Sequence, residues 1–162
     1  MRNLTPQELQ RKWPKLRPGN HEHRSDATPR YNCVAFANQD ARHWWQPGLP
    51  GGRFHWPPGI RQDDSLKAWI ELFVGDGYET SDSHEHEPGF EKVAIYVDIS
   101  DMSPSHVAKS DGYTWKSKLG SYQDIEHSSL DLLEGNQECE YGIVERVLKR
   151  RMRSLNRKST RT

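Results

Sequence analysis

The sequence predicts an α+β domain. Helix signals crowd the first half of the chain and strand signals the second, and an Asp111-Gly112 turn joins two of the strands as an antiparallel hairpin. Thr5-Pro6-Gln7-Glu8 is a capping box with proline at the first helical position, so a short helix runs to about Lys12 and stops at Trp13-Pro14. Residues 17–30 read as irregular surface chain. Asn32 is a good N-cap for a helix that starts at Cys33 and carries its apolar members through Ala41 to Trp44 and Trp45. Eight prolines and glycines then fall between Pro47 and Gly59, which makes a long rigid loop studded with Phe54, His55 and Trp56. Asp63 or Asp64 can cap a third helix, whose Leu66, Trp69, Ile70 and Phe73 form one buried stripe before Gly75-Asp76-Gly77 ends it. Residues 79–91 are a polar loop or edge. Lys92 to Asp98 is the clearest strand and reads as central in its sheet. Ser105–Lys109 and Tyr113–Ser117 flank the Asp111-Gly112 turn. Ser128 or Ser129 can cap a short helix through Leu130, Leu132 and Leu133, ended by Gly135, and Tyr141 to Leu148 is a last strand.

The 162 residues suffice for one domain. Only 33% are apolar and the mean hydropathy is −1.00, so the core has to lean on six Trp, six Tyr and four Phe. Each such ring can bury roughly 150–250 Å². A net charge of zero excludes a wholly basic nucleic-acid binder or an acidic solvating chain, yet it hides three blocks. Residues 1–30, a helix and an irregular arm, carry +4; residues 31–148, the α+β domain, carry −11; residues 149–162, a basic mobile tail, carry +7. The tail reads either as a solvated end lying against the acidic body or as a phosphate-binding arm. It has no aromatics to build a stacking groove. Cys33 and Cys139 do not make a disulfide framework, no apolar run approaches the ~20 residues of a membrane span, and the N-terminus has no apolar signal core. The expectation is a soluble cytoplasmic protein with no membrane partner.

Tyr31-Asn32-Cys33-Val34-Ala35-Phe36-Ala37 carries the strongest chemical signal. It sets a cysteine in the first turn of a helix, where the macrodipole and unpaired N–H groups stabilise a thiolate and can receive an oxyanion. The bland reading is a buried cysteine acting as a small apolar filler. Cys139, between Glu138 and Glu140, reads as structural or incidental. A thiolate needs a base, and His106 lies on the strand beside the central one. A two-residue turn at Asp111-Gly112 sets His106 opposite Ser117 and Ala108 opposite Trp115. Ser117 would then orient the imidazole and Trp115 would shield it from water. Asp124 is the rival orienter, because a carboxylate stabilises an imidazolium better than a hydroxyl does. His106 reads equally as a half-buried sheet histidine with its hydrogen bond satisfied. His21-Glu22-His23 and His84-Glu85-His86 read as solvated loop histidines with no third ligand at standard spacing, so no metal is expected. No phosphate loop, His-Glu-x-x-His or Gly-x-Ser-x-Gly is present, and no cofactor is expected.

Tyr31-Asn32-Cys33, Trp44-Trp45-x-Pro47, the Lys92–Tyr96 strand, the His106 strand, Trp115 to Gly120, Asp124 to His127 and Tyr141-Gly142 together resemble an uncharacterised family of small bacterial domains. That family is similar to papain-like cysteine hydrolases, the group that includes NlpC/P60 peptidases and transglutaminase-like proteins. The resemblance spans roughly residues 30–150. It implies a papain-like fold, in which the helix bearing the cysteine packs on an antiparallel sheet that carries the histidine. Cys33 would be the nucleophile and His106 the base, with Asn32 or backbone N–H groups at the oxyanion.

Three functions follow as expectations. The first is a cysteine hydrolase or acyl transferase acting on an amide or isopeptide bond of a peptide, amide or protein substrate through a thioester. The second is a papain-like binding module that uses the Trp-, Pro- and Gly-rich loop 44–59, with Trp45 and Trp56 as contacts beside Asn32 and Trp115. The third is a nucleic-acid-associated protein using its basic ends.

Overall fold

The computed structural model describes residues 2–48, 54–137 and 140–152. Its elements are α1 (Pro6–Lys12), β1 (His21–Ser25), α2 (Cys33–Ala37), α3 (Leu66–Gly75), β2 (Glu79–Thr80), β3 (Phe90–Val97), β4 (Pro104–Ser110), β5 (Trp115–Lys118), β6 (Asp124–His127), a 3₁₀ turn (Leu130–Leu133) and β7 (Ile143–Arg151). The seven strands form one sheet in the order β1-β6-β5-β4-β3-β7-β2, and every neighbouring pair is antiparallel. The α+β class holds. β3 is central as expected, and from Glu91 to Val97 it is buried throughout.

Side chains alternate across the sheet and divide the core in two. On one face Val93, Ile95, Val107 and Leu148 pack with Cys33, Val34, Trp56, Trp69, Leu72 and Phe73, under α2 and α3. On the other Ala94, Tyr96, Ala108, Trp115, Ile125 and Val147 pack with Leu9, Trp13, Leu130 and Leu133, under α1 and the 3₁₀ turn. Gly142 lets β7 begin close against β3. It adopts φ 81°, and a Cβ there would run into the carbonyl of Val97.

Several local expectations need correction. The Asp111-Gly112 turn is four residues long, because Lys109 pairs with Lys116 and Ser110 with Trp115. The Asp111 carboxylate accepts the Tyr113 N–H at 3.1 Å and the Ser110 hydroxyl accepts that of Gly112 at 3.0 Å, which closes the wider turn. α3 is capped by Ser65, whose Oγ accepts the Ala68 N–H at 3.1 Å, rather than by Asp63 or Asp64. The arm expected to be irregular contains β1, which pairs with β6, itself unforeseen. Lys149 to Arg151 of the expected tail belong to β7. Residues 153–162 of that tail and Cys139 lie outside the described residues.

α2 stops at Ala37, far short of Trp45. A Schellman motif ends it: the Asp40 N–H donates to the Ala35 carbonyl and that of Gln39 to Phe36, at 2.9 and 3.0 Å. Gln39 therefore sits at φ 61°, where a side chain costs roughly 1 kcal/mol. Gln39→Gly is expected to stabilise the domain by about 0.5–1 kcal/mol, read as a rise in thermal midpoint of a few degrees.

Candidate functional site

Asn32 caps α2 as its sequence position requires. Its Oδ1 accepts the N–H groups of Ala35 and Trp45, both at 3.1 Å, and its Nδ2 donates to the Trp45 carbonyl at 2.7 Å. The amide thus ties the helix start to the following loop, with one of its two N–H groups committed to the Trp45 carbonyl. Cys33 follows it, packed over β4. Burial pushes the thiol up to about 11, against the opposing pull of the Val107 and Val34 N–H groups and the charge of Lys118. Burial thus works against the primed thiolate expected at the helix start, and the dipole that would favour it belongs to a helix only five residues long.

His106 does not meet Cys33. The two neighbours His106 and Val107 point to opposite faces of β4. Val107 packs with Cys33, whereas His106 stacks on Tyr141 with centroids 4.1 Å apart and contacts Tyr96 at 5.3 Å. The imidazole is fully buried in the α1 face. Ser117 does reach it: Ser117 Oγ lies 2.8 Å from His106 Nε2 and 2.8 Å from His127 Nε2, and His127 Nδ1 donates to the Ser129 carbonyl at 3.0 Å. That last bond fixes every proton in the chain. His127 carries hydrogen on Nδ1 and accepts from the Ser117 hydroxyl, which in turn accepts from His106 Nε2–H. Burial holds His127 down to about 4 and His106 well below its ordinary value, the latter also disfavoured by its neighbour His127.

Asp124 lies on the Cys33 face, away from His106, and accepts the Ser25 N–H at 2.6 Å where β1 bulges. Trp115 and Trp56 are core residues rather than contact surfaces; Trp56 Nε1 donates to the Arg61 carbonyl at 2.8 Å. Trp45 is half-buried. It lines a groove of about 350 Å³ with Pro57, Ile60 and Leu72 and donates from Nε1 to Asp40 at 2.8 Å.

The larger cleft on the Cys33 face was not foreseen. It encloses about 430 Å³ between α2 and strands β4 to β6. Tyr31 and Phe36, stacked 6.4 Å apart at 15°, form one wall, with Gln39 and Asp40 beside them. Lys109, Lys116 and Asp124 form the floor, and Asp111 stands at the rim, 3.3 Å from Lys116. Lys109 turns its charge away from the cleft, to Glu91 at 2.8 Å and the Tyr78 hydroxyl at 2.6 Å. Beneath the Tyr31 ring lies Lys118, fully buried, with Nζ donating to the Thr28 and Gly120 carbonyls at 3.0 and 2.6 Å. Burial lowers it to about 8 against the pull of Asp124 and the thiol. The signal was present in Trp115-Lys116-Ser117-Lys118: the strand period sets Trp115 and Ser117 on one face and the two lysines on the other.

Among the described residues, no group of three or more His, Cys, Asp or Glu side chains could hold a metal ion, and no helix is long and apolar enough to cross a membrane. His21 and His23 stand on β1 rather than in a loop. No curated protein and no solved structure matches the chain. Residues 22–149, from β1 almost to the end of β7, match the family described as "Domain of unknown function (DUF7689)". That span covers more than half of the sequence and contains Cys33, the cleft and the His106–Ser117–His127 chain, so the protein belongs to the DUF7689 family.

Proposed function

We propose that this domain is a binding module whose ligand seat is the cleft between α2 and the sheet. The observation that carries the reading is the cleft itself: a stacked Tyr31–Phe36 wall above a floor bearing Lys116 and Asp124. The rings offer apolar area to an aromatic or aliphatic side chain. The partly exposed Lys116–Asp111 pair at the rim can exchange partners with charged groups beside it. A peptide segment of a protein partner has both features. The groove beside Trp45 lies on the far side of Asp40, so the Trp-rich loop would support the seat rather than form it. A reducing, cytoplasmic setting belongs to the same proposal.

The test is a panel of capped dipeptides titrated into ¹⁵N-labelled protein. Shifts are expected to cluster at Tyr31, Phe36, Lys116 and Asp124 and to vanish in Phe36→Glu. Shifts confined to other surfaces, or unchanged in that variant, would overturn the assignment.

The papain-like reading, a cysteine hydrolase working through a thioester, has one observation in its favour: Cys33 opens a capped helix packed on an antiparallel sheet. It would require a base other than His106. In a Cys139→Ser background, Cys33 is expected to alkylate slowly with iodoacetamide at pH 7, with an apparent pKa above the free value of ~8.5 and no change on His106→Ala. Fast alkylation that His106→Ala slows would restore the catalytic pair.

A further inference from the structure

The loop that follows α2 brings two histidines together by backbone and side-chain bonds. The Asp40 carboxylate accepts the backbone N–H of Arg42 at 2.7 Å and of His43 at 3.1 Å, the Trp45 indole N–H at 2.8 Å, and Nδ1–H of His43 at 2.9 Å. That last bond puts a ring hydrogen of His43 on Nδ1, so that in the neutral ring the lone pair is on Nε2. Across the loop the His55 N–H donates to the Trp44 carbonyl and the Gln46 N–H to the His55 carbonyl, both at 2.9 Å. The Trp45 ring stands edge-on to the His55 ring at 4.5 Å. The ring nitrogens of His55 make no hydrogen bond to the described residues, and both histidines are exposed.

The His43 and His55 rings lie 6.0 Å apart, centroid to centroid, tilted by 42°. A metal about 2.0–2.1 Å from an imidazole nitrogen lies roughly 3.2 Å from the ring centroid. Two rings on one ion at tetrahedral or wider angles therefore stand about 5–6 Å apart, which the observed spacing meets. The carboxylate behind His43 is the usual partner of a metal-bound imidazole.

We propose that His43 and His55 form a two-histidine site for a borderline divalent cation, Cu²⁺ or Zn²⁺, with Asp40 as the positioning residue and water completing the coordination shell. Imidazole nitrogen suits these ions, and a site with two protein ligands leaves positions open to an exogenous donor. The two histidines lie outside the peptide cleft, which shares only Asp40 with this site, and the metal proposal does not depend on the peptide reading.

Two titrations of the full chain test this. Cu²⁺ is followed by quenching of Trp fluorescence, to which Trp44 and Trp45 are adjacent, and Zn²⁺ by calorimetry. One ion per chain is expected at this site, with at least tenfold weaker binding in His43→Ala and in His55→Ala. The His84→Ala/His86→Ala double variant should match the wild type. Melting curves in chelator show whether the variants are folded. Imidazole NMR spectra of the unaltered protein with Zn²⁺ should shift at His43 and His55, a readout that needs no variant. Wild-type affinity in both single variants, or ion-dependent shifts confined to His21, His23, His84 and His86, would overturn the proposal.

Discussion

Ser117→Ala is expected to destabilise the domain by roughly 2–6 kcal/mol, since a buried group stripped of its partner costs about 1–3 kcal/mol and this change strips two. The Ser117 hydroxyl donates to His127 and accepts from His106, each at 2.8 Å, and all three residues are buried. Without the oxygen, one imidazole keeps an unmet N–H and the other an unmet lone pair, at a depth water does not reach. The loss is a large share of the 5–15 kcal/mol that holds an ordinary domain together. Replacing all three residues at once, as His106→Phe, Ser117→Ala and His127→Phe, removes the three buried polar side chains together, leaves only the part-buried Ser129 carbonyl without its donor, and should recover most of the loss. Chemical denaturation of the single and triple variants measures both. A loss below about 1 kcal/mol in Ser117→Ala would show that the hydroxyl does not bridge the rings.

The same chain shows how far the sequence could be read. A two-residue turn at Asp111-Gly112 would set His106 directly opposite Ser117 on one face. The turn has four residues, so the strand pairing is shifted by two positions. An even shift preserves the face, and the two side chains meet on the diagonal instead of directly across. The capping box of α1, the Asn32 cap and the unbroken apolar run of β3 were legible because each is written in neighbouring residues, whereas the α3 stripe held only in part: Trp69 and Phe73 are buried, with Ala68 and Leu72 beside them, and Leu66 and Ile70 are only partly so. β1 was not, because His21-Glu22-His23-Arg24-Ser25 has no apolar alternation; it is a strand only because β6 offers it a ladder. The failed Cys33–His106 pair has the same origin. Local sequence fixes which face of β4 His106 takes relative to Val107, but which face α2 covers is decided by long-range packing. The lysines at 116 and 118 sat in plain view on the face that α2 does cover.

Acid should unfold this domain in two stages, the first set by histidines and not by carboxylates. His127 has a folded value near 4 against 6.5 when unfolded, and His106 is held lower than its ordinary value as well. In both the cause is burial, so the unfolded state binds more protons over that interval. Stability is therefore fully present above pH 6.5 and falls as pH drops towards 4, by about 3 kcal/mol for His127 alone. Asp40, whose four accepted hydrogen bonds hold it near 2, gives up its share only between about pH 4 and pH 2. The two windows do not overlap, which makes the assignment testable. Denaturant midpoints measured from pH 7.5 to 3 should decline from about pH 6.5 in the wild type. In the triple variant lacking both imidazoles the decline should begin only near pH 4. Equal decline in the two proteins across pH 6.5–4 would place the acid-sensitive groups elsewhere, and the buried chain would then not be the neutral, directional array its geometry describes.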